Sequence, residues 1–522
     1  MNLVTLSAQR QKKLRAPSGL LASSLAKGSA MARLRPNILW YCTDQQRWDT
    51  INALGQPNIA TPTIDSLCAN GVAFRRAYTQ SPICTPARAS FLTGRYPATH
   101  HVYRNGNAWF PTQETLVTKI FANAGYDCGL VGKLHLTAAK YYEKRPDDGY
   151  RSFLWSHHPH PDFSRGHDYE NWLRFEKKVD PVALYAPHNA FCAPGVPAEF
   201  HQTTWVSEMA IRFITEQRDG PWMLSLNPFD PHAPFDAPPE YLSRIDVESL
   251  PMPLFRESDI QRQHAFAAID QQTKVAIDPR LRHKVQAVIE TEHDLVASAP
   301  PLSYDALEVK ANYYAMIMLV DDQLKRIIDV LRDTGQLENT VIVFMSDHGE
   351  LLGDHGLILK GCRFFDGLVR VPLIFSWPGE LREGLVSDAL VESVDVAPTL
   401  LEVAGLSVPN QMQGRSLFSL MRGEVDPHHH KLNVISEFKD SIGGPQHADH
   451  SHGSMVFDGR YKSVVYHGHN VGELYDMESD PGEFNNLWDD PGSRDLKLER
   501  LKSHLDAMMA TVSAGPERAV AY

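Results

Sequence analysis

The chain has 522 residues, of which 43% are hydrophobic and 22% charged, and its formal net charge is -12 at pH 7. A chain of this length is too long for one compact core, so two domains are predicted. The composition is that of an ordinary globular protein. The acidic balance excludes a nucleic-acid partner, since phosphate backbones need a basic face, and no apolar run reaches the ~20 residues that span a bilayer.

The first 35 residues form a basic segment that contains seven lysines and arginines and no acidic residue. Its mildly apolar stretch, residues 19–26, includes two serines and makes a poor signal-peptide core. We therefore expect residues 1–35 to be a disordered leader rather than a targeting signal.

The six cysteines are spread along the chain, at positions 42, 68, 84, 128, 192 and 362. They form no CxxC pair and match no zinc-type spacing. In a chain of this length the pattern predicts reduced thiols, not a disulfide framework, and hence a cytoplasmic protein.

Short apolar runs alternate with helical patterns through residues 36–425. Buried strands are predicted at 38–43, 72–78, 128–132, 222–226, 341–346 and 372–376, and helices at 62–70, 114–124, 205–217, 305–333 and 395–404. The stretches 145–200 and 236–300 are predicted to be an irregular insertion and a polar excursion. Nearly unbroken apolar strands that alternate with helices predict a mostly parallel sheet covered on both faces.

The composition changes near residue 426. Short strand patterns lie at 433–437, 454–457 and 462–466, and a terminal helix pattern starts near residue 494. We therefore expect an α/β catalytic domain over 36–425 and a smaller domain over 426–522, built from an antiparallel sheet and a helix. The histidines of 428–430 and 447–452 fit no ligand spacing and are expected to lie in solvated loops.

Polar side chains follow several of the predicted strands directly. They are Asp44, Lys133, the 230–232 turn, Asp347 and His348. In open α/β sheets ligands bind beyond the carboxyl ends of the strands, so these residues are expected to converge on one site. Because the whole chain is acidic, an anionic substrate would have to be attracted by a local positive pocket.

Carboxylates among these residues indicate a divalent metal ion. Asp44, Asp347 and His348 are the candidate ligands, with Gln45 as a weaker oxygen donor. Oxygen ligands suit Ca²⁺ or Mg²⁺, whereas a histidine ligand favours Mn²⁺ or another transition ion.

The stretch around Cys84 predicts a cysteine at the start of a helix. Thr85 is a good N-cap, Pro86 suits the first helical position, and Gly94 can end the helix. Cys84 would then face free N–H groups and the positive end of the helix dipole, which together favour an anion. Arg88, in the first turn, can fold back over the same place.

The pattern Cys-x-Pro-x-Arg from Cys84 to Arg88, followed by Leu-Thr-Gly-Arg, resembles the signature of the type I sulfatases of the alkaline phosphatase superfamily, close to its arylsulfatase and phosphonate monoester hydrolase branch. In that family a maturation enzyme oxidises the cysteine to formylglycine, and the hydrated aldehyde is the nucleophile. The resemblance covers most of residues 36–490. It implies an alkaline-phosphatase-like α/β fold, one divalent ion and hydrolysis of a sulfate ester.

The resemblance also implies a role for each matching residue. Asp44, Gln45, Cys84, Asp347 and His348 correspond to the metal site. Arg88 would orient the nucleophile and Lys133 would span substrate and nucleophile. His135 would remove the proton of the second hydroxyl, while His232 and Lys360 would bind the sulfate oxygens and protonate the leaving group.

Three residues resemble the phosphonate monoester hydrolase and phosphodiesterase branch instead. Many sulfatases carry Asp and Asn where Gln45 and His348 stand, and Asn105 resembles a substrate-contacting residue of that branch. That branch tends to lack Lys133 and His135, so a sulfatase is favoured, and a phosphonate monoester or phosphodiester hydrolase is the alternative.

Further functions and properties stay open at this stage. An inactive binding homologue would follow if Cys84 remained a thiol. A plain hydroxyl nucleophile of the alkaline phosphatase type is disfavoured, because position 84 is neither Ser nor Thr. Neither the natural substrate nor the oligomeric state, a homo-oligomer included, can be derived from the sequence.

Overall fold

The computed structural model describes residues 35–139, 142–160, 166–188, 191–266, 269, 276–282, 304–439, 451–513 and 515. They belong to one compact unit that begins at Arg35. Residues 1–34 of the expected leader, much of the predicted excursion at 236–300 and the histidines of 447–450 lie outside the described residues.

Strands and helices alternate through most of the described chain. The strands are β1 (Asn37–Thr43), β2 (Gly71–Tyr78), β3 (Asp127–Gly132), β4 (Ser152–Trp155), β5 (Trp222–Asn227), β6 (Thr340–Ser346), β7 (Leu373–Ser376), β8 (Leu385–Glu392), β9 (Val434–Lys439), β10 (His452–Phe457), β11 (Tyr461–Tyr466) and β12 (Gly472–Asp476). The helices are α1 (Pro62–Ala69), α2 (Cys84–Thr93), α3 (Pro97–His100), α4 (Val117–Asn123), α5 (Asp168–Trp172), α6 (Pro181–Tyr185), α7 (Gln202–Thr215), α8 (Pro239–Leu242), α9 (Ser258–His264), α10 (Ala306–Asp333), α11 (Asp366–Val369), α12 (Val396–Val403), α13 (Phe418–Met421) and α14 (Arg494–Thr511).

The central sheet has eight strands in the order β4-β3-β5-β1-β6-β7-β2-β8. β4, β3, β5, β1 and β6 are paired in parallel, as are β2 and β8. β7 runs antiparallel to both β6 and β2. The expected mostly parallel α/β sheet is confirmed.

Each face of this sheet carries its own hydrophobic core. Successive side chains of a strand point to opposite faces, so Ile38 and Trp40 of β1 enter one core and Leu39 and Tyr41 the other. Helices α2, α4 and α12 contribute to the first core, and α7 and α10 to the second. Burial on both faces explains why β1, β5 and β6 are buried at every residue.

The C-terminal region forms the expected small antiparallel sheet, with the strand order β12-β11-β10-β9. Helix α14 packs against β10 and β11. Lys462 of β11 is fully buried and contacts the carboxylates of Asp366 and Glu483, so it joins this sheet to the first residue of α11. No α-helix among the described residues combines the length and apolarity needed to cross a bilayer.

Two strands of the central sheet depart from the sequence prediction. β4 lies in the 145–200 stretch that was expected to be irregular, and it forms one edge of the sheet. The opposite edge is β8, for which no strand was predicted. The stretch 145–200 contains α5 and α6 in addition to β4, so the prediction of an irregular insertion is wrong for these three elements.

Candidate active site

The carboxyl ends of β1 and β6 bring two aspartates together. The strands pair in parallel with Thr43 opposite Ser346, so Asp44 and Asp347 leave the sheet side by side. Both carboxylates are fully buried. Asp347 Oδ1 accepts hydrogen bonds from the backbone N–H of Gln45 (3.0 Å) and of His348 (2.9 Å), which fixes the carboxylate within the site.

Lys133 reaches the same place from β3. Gly132, the last residue of that strand, has a φ of 107°, and a Cβ there would lie 2.0 Å from the carbonyl oxygen of Asn227. Only glycine fits this close approach of β3 to β5. The backbone N–H of Lys133 donates to the same carbonyl at 2.9 Å, and its ammonium contacts Asp44 Oδ2.

Cys84 is the first residue of α2, and Ile83, not Thr85, is the N-cap. The predicted cap is wrong because the side chain of Asn105 takes that role: its Oδ1 accepts the backbone N–H of Thr85 at 3.0 Å. Gly94 ends the helix in the left-handed conformation, as predicted. Asn105, predicted to contact substrate, thus contacts the start of the helix that carries Cys84.

The sulfur of Cys84 is surrounded by the ionisable groups expected from the sequence. It lies 3.1 Å from His348 Nε2, 3.1 Å from Lys360 Nζ, 3.7 Å from Lys133 Nζ and 3.7 Å from Asp44 Oδ1. Burial and Asp44 raise the pKa of this thiol, but the two lysines and His348 outweigh them and lower it below the ordinary value. The surroundings therefore stabilise negative charge at position 84 more than water would.

Arg88 links the two aspartates from the first turn of α2. Its Nε donates to Asp347 Oδ2 at 2.9 Å, and its Nη2 donates to Asp44 Oδ2 at 3.3 Å. Its Nη1 donates to the backbone carbonyl of Lys133 at 3.0 Å. The planar guanidinium thus ties together the ends of three strands and the helix that carries Cys84.

A cluster that could hold a metal ion is formed by Asp44, Cys84, Asp347 and His348. One ligand atom from each lies within 4.8 Å of the others, and all four residues are buried. His348 Nδ1 lies 2.9 Å from the carbonyl oxygen of Gly349, which can only accept, so Nδ1 carries a proton and Nε2 is the ring nitrogen that faces the cluster. Against burial, Asp347 and Cys84 raise the pKa of His348 above its ordinary value. Two carboxylates and an imidazole fit a divalent cation, which would take the place of the proton on Nε2.

Gln45, the fifth predicted ligand, is held by two neighbours. Its Nε2 donates to Glu350, and its Oε1 accepts from Lys360 Nζ at 2.8 Å. Lys360 Nζ also lies 3.4 Å from His348 Nε2. The Lys360 ammonium therefore lies beside Gln45 Oε1 and His348 Nε2, two of the atoms that are candidate metal ligands.

Lys360 and His232, which the family resemblance implies as ligands of the sulfate oxygens, lie next to each other. Lys360 Nζ lies 2.8 Å from His232 Nε2, and His232 Nδ1 lies 2.7 Å from the carbonyl oxygen of Ala233. His232 must therefore donate through Nδ1 and accept from Lys360 through Nε2. Burial, and next the charge of Lys360, hold the pKa of His232 well below its ordinary value.

His135 lies on a turn that a buried carboxylate stabilises. Glu143 accepts the backbone N–H groups of His135 (2.8 Å), Leu136 (2.5 Å) and Thr137 (3.0 Å). The backbone of His135 is left-handed, with a φ of 56°. Burial, followed by the neighbouring His157 and Lys133, keeps the pKa of His135 well below its ordinary value, so its ring is neutral.

Sequence reasoning missed three buried residues of this site: Glu143, Glu350 and His157. Glu350 belongs to the same Asp-His-Gly-Glu run as Asp347 and could have been noticed there. Glu143 lies in a connection without periodicity, and His157 follows the unpredicted strand β4. Neither carried a signal that separated it from ordinary polar residues.

A family model described as Sulfatase matches residues 36–406, which is most of the chain. The chain belongs to the sulfatase family. This confirms the resemblance seen in the sequence motifs. A second family model, described as N-sulphoglucosamine sulphohydrolase, C-terminal, matches residues 353–511 of this chain.

The sulfatase is similar to other proteins over nearly its whole length. It is 29% identical to an arylsulfatase of Clostridium perfringens, over 87% of this chain and 90% of the relative. It is also 29% identical to the multifunctional alkaline phosphatase superfamily protein PehA of Trinickia caryophylli, over 92% and 98% of the two chains. The solved phosphonate monoester hydrolase SpPMH of Silicibacter pomeroyi shares the fold, with a TM-score of 0.75 at 24% identity over 91% and 96% of the chains. Family and relatives identify a sulfuric ester hydrolase.

Proposed function

We propose that this sulfatase hydrolyses sulfate monoesters in an arylsulfatase-like reaction whose nucleophile is formylglycine derived from Cys84. The observation that supports the proposal is the surroundings of residue 84, where two lysines, His348 and Asp44 approach the sulfur within 3.7 Å. A sulfate ester is a poor electrophile because its centre is surrounded by negative charge. Cations beside the nucleophile offset that charge.

Maturation would convert Cys84 in a two-electron oxidation in which oxygen replaces sulfur at Cβ. A formylglycine-generating maturation enzyme would supply the oxidant. The modification must precede final folding, because Cys84 is only 1% exposed. All six cysteines are free thiols, and we keep the expected cytoplasmic location as part of the proposal.

Asp44, Asp347 and His348 would hold a divalent metal ion next to residue 84, with Gln45 as a further oxygen donor. Such an ion supplies Lewis-acid stabilisation of the charge on the reacting oxygens. The carboxylates fit Ca²⁺ or Mg²⁺, and the imidazole favours Mn²⁺. Arg88 balances the charge of the same two carboxylates.

Lys360, His232 and Lys133 would bind the ester and complete the first half of the reaction. As an oxygen at position 84 bonds to sulfur, the bond from sulfur to the leaving oxygen breaks, and that oxygen needs a proton. Lys360, whose Nζ lies 2.8 Å from His232 Nε2, would donate this proton, and His232 would hold Lys360 in place. Lys133 neutralises the sulfate oxygens from the side of Asp44.

His135 would complete the second half of the reaction. Its neutral ring accepts the proton of the remaining hydroxyl at position 84. The carbon–oxygen bond to sulfate then breaks, sulfate leaves and the aldehyde is restored. A neutral imidazole is suited to this proton transfer.

The alternative, phosphonate monoester or phosphodiester hydrolysis with the same nucleophile, is supported by Gln45 and His348. It is disfavoured by Lys133 and His135, which both lie at the site and which that branch tends to lack. Sulfate release is therefore the proposed main reaction.

Two measurements on the same protein test the proposal. Mass spectrometry of the peptide that contains residue 84 is expected to show the aldehyde. The value of kcat/KM is expected to be higher for an aryl sulfate than for an aryl phosphonate monoester, and Cys84→Ala, which cannot form the aldehyde, should remove both activities. The reverse preference would favour the alternative, and an intact thiol without turnover would favour an inactive binding homologue.

A further inference from the structure

A second histidine, His157, packs directly against His135. The ring centroids are 4.3 Å apart, with an angle of 58° between the ring planes. Each residue is 6% exposed. Among the described residues, neither Nδ1 atom has a hydrogen-bond partner, so ring packing is the contact observed between the two side chains.

The sheet topology places the two histidines at the same edge. His157 follows β4 and His135 follows β3, and these strands pair in parallel with Trp155 opposite Gly132. The backbone N–H of Ser156 continues the ladder by donating to the carbonyl of Gly132 at 3.0 Å. Burial, and next the charge of Lys133, hold the pKa of His157 well below its ordinary value, so its ring is neutral.

Different neighbours hold the backbone and the ring of His135. Glu143 accepts three consecutive N–H groups and fixes the backbone of the turn. The Glu143 side chain is itself fixed by Trp155 Nε1, which donates to Oε2 at 3.2 Å. A fixed backbone still allows the imidazole to rotate about its side-chain bonds, and His157 packs on the ring itself.

We propose that His157 is a positioning residue for His135. Its flat ring holds the His135 imidazole in the orientation from which it accepts a proton in the second half of the reaction. The inference rests on the proposed function, because it assigns His157 to the step that releases sulfate. It predicts that His157 affects this step and leaves cleavage of the ester bond nearly unchanged.

Rapid mixing of matured enzyme with an aryl sulfate separates the two halves of the reaction. Release of the aryl alcohol in the first turnover reports ester cleavage, and the later, steady rate includes sulfate release. For His157→Ala we expect the first-turnover rate to stay within about twofold and the steady rate to fall by about ten- to a hundredfold, part of the usual effect of a general base. His157→Phe keeps a flat ring and should recover most of the steady rate.

His160→Ala serves as the matched control, because this buried histidine packs on Tyr185 at 5.3 Å. It should leave the ratio of the two rates unchanged. Equal loss of both rates in His157→Ala, or a Phe variant no better than Ala, would overturn the inference while wild type remains active. Should the Ala variant not fold, His157→Asn replaces it with the same expectation. A wild-type enzyme without aryl sulfate turnover would instead overturn the proposed function, and the inference with it.

Discussion

At the scale of single residues, the site depends on ion pairs that have been removed from water. Arg88 is 1% exposed, and both of its acidic partners are fully buried. Its desolvation is offset only if the charged groups meet in good geometry, which the planar guanidinium provides towards Asp44, Asp347 and the carbonyl of Lys133. A lysine would keep the charge but could not make all three contacts.

We therefore expect Arg88→Lys to lower the free energy of unfolding by about 3 kcal/mol, the usual result of breaking a buried ion pair. Urea denaturation followed by circular dichroism measures the change. Arg174→Lys is the matched control, since Arg174 is 38% exposed where it pairs with Glu170 and should change stability by less than about 1 kcal/mol. Equal effects of the two substitutions would contradict this assignment.

Some residues of the site could be predicted from the sequence, and others could not. Asp44, Lys133 and Asp347 could be predicted to converge because each follows an apolar strand, and this placement depends only on strand periodicity. The capping of α2 by Asn105 instead of Thr85 could not be predicted, because the backbone N–H of Thr85 donates to a side chain twenty residues away. Contacts of that kind are decided by tertiary packing, for which local sequence has no signal.

At the scale of elements, the junction of β3 and β5 determines where Lys133 lies. Gly132→Ala would combine a positive φ with a Cβ 2.0 Å from a backbone oxygen that cannot move without shifting β5. We expect a loss of stability well above the ~1–2 kcal/mol of a left-handed alanine alone, together with loss of activity because Lys133 is displaced. Thermal unfolding and aryl sulfate turnover measure the two effects.

Gly335, just after α10, provides the control for Gly132. Its φ is also positive, at 69°, but a Cβ there meets no atom within 4 Å. Gly335→Ala is expected to cost only the conformational strain and to keep full activity. Similar losses in the two variants would mean that the close approach of β3 to β5 has no special importance.

The contact between α14 and the C-terminal sheet is expected to weaken in acid. His504 is buried between Ser454 Oγ (2.8 Å) and Ser463 Oγ (2.9 Å), and burial lowers its pKa to about 4. The unfolded chain binds this proton near its ordinary pKa of about 6.5, so stability falls as the pH drops from about 6.5 to 4, by up to about 3 kcal/mol.

Denaturation at pH 7, 6, 5 and 4 tests this contribution. His504→Gln, which cannot take up the proton, should show a smaller loss of stability between pH 6.5 and 4 than wild type does. His428→Gln changes a histidine whose side chain is 51% exposed and should retain the wild-type dependence. An unchanged pH dependence in His504→Gln would show that other groups cause the acid sensitivity.

Most elements could be predicted from their patterns, and the two edges of the central sheet could not. β1, β5 and β6 are apolar along nearly their whole length, because they are covered on both faces. β4 has only three consecutive apolar residues, too few to stand out within an irregular stretch. β8 is interrupted by Ser387 and the exposed Asp388, as expected where an edge strand meets solvent.

At the scale of the whole molecule, a chain of net charge -12 contains a site with three buried cationic side chains. Arg88 and Lys133 pair with the carboxylates of Asp44 and Asp347, and Lys360 lies 3.1 Å from the sulfur of Cys84. The acidic composition implied that an anionic substrate would need a local positive pocket, and the described structure contains one. Its charge balance also determines how the fold should respond to a metal ion.

Because Arg88, Lys133 and Lys360 already balance Asp44 and Asp347, the protein should fold without a metal ion and be stabilised further by one. Adding Ca²⁺ or Mn²⁺ to chelator-treated protein, at a free concentration of about 100 Kd, should raise the free energy of unfolding by about 2.7 kcal/mol, which is measured as a rise in Tm. Asp347→Asn removes one ligand charge and should abolish most of the rise, whereas Asp388→Asn, on the exposed part of β8, should retain it. The same rise in all three proteins would place the ion elsewhere, and none in wild type would contradict a metal site between these aspartates.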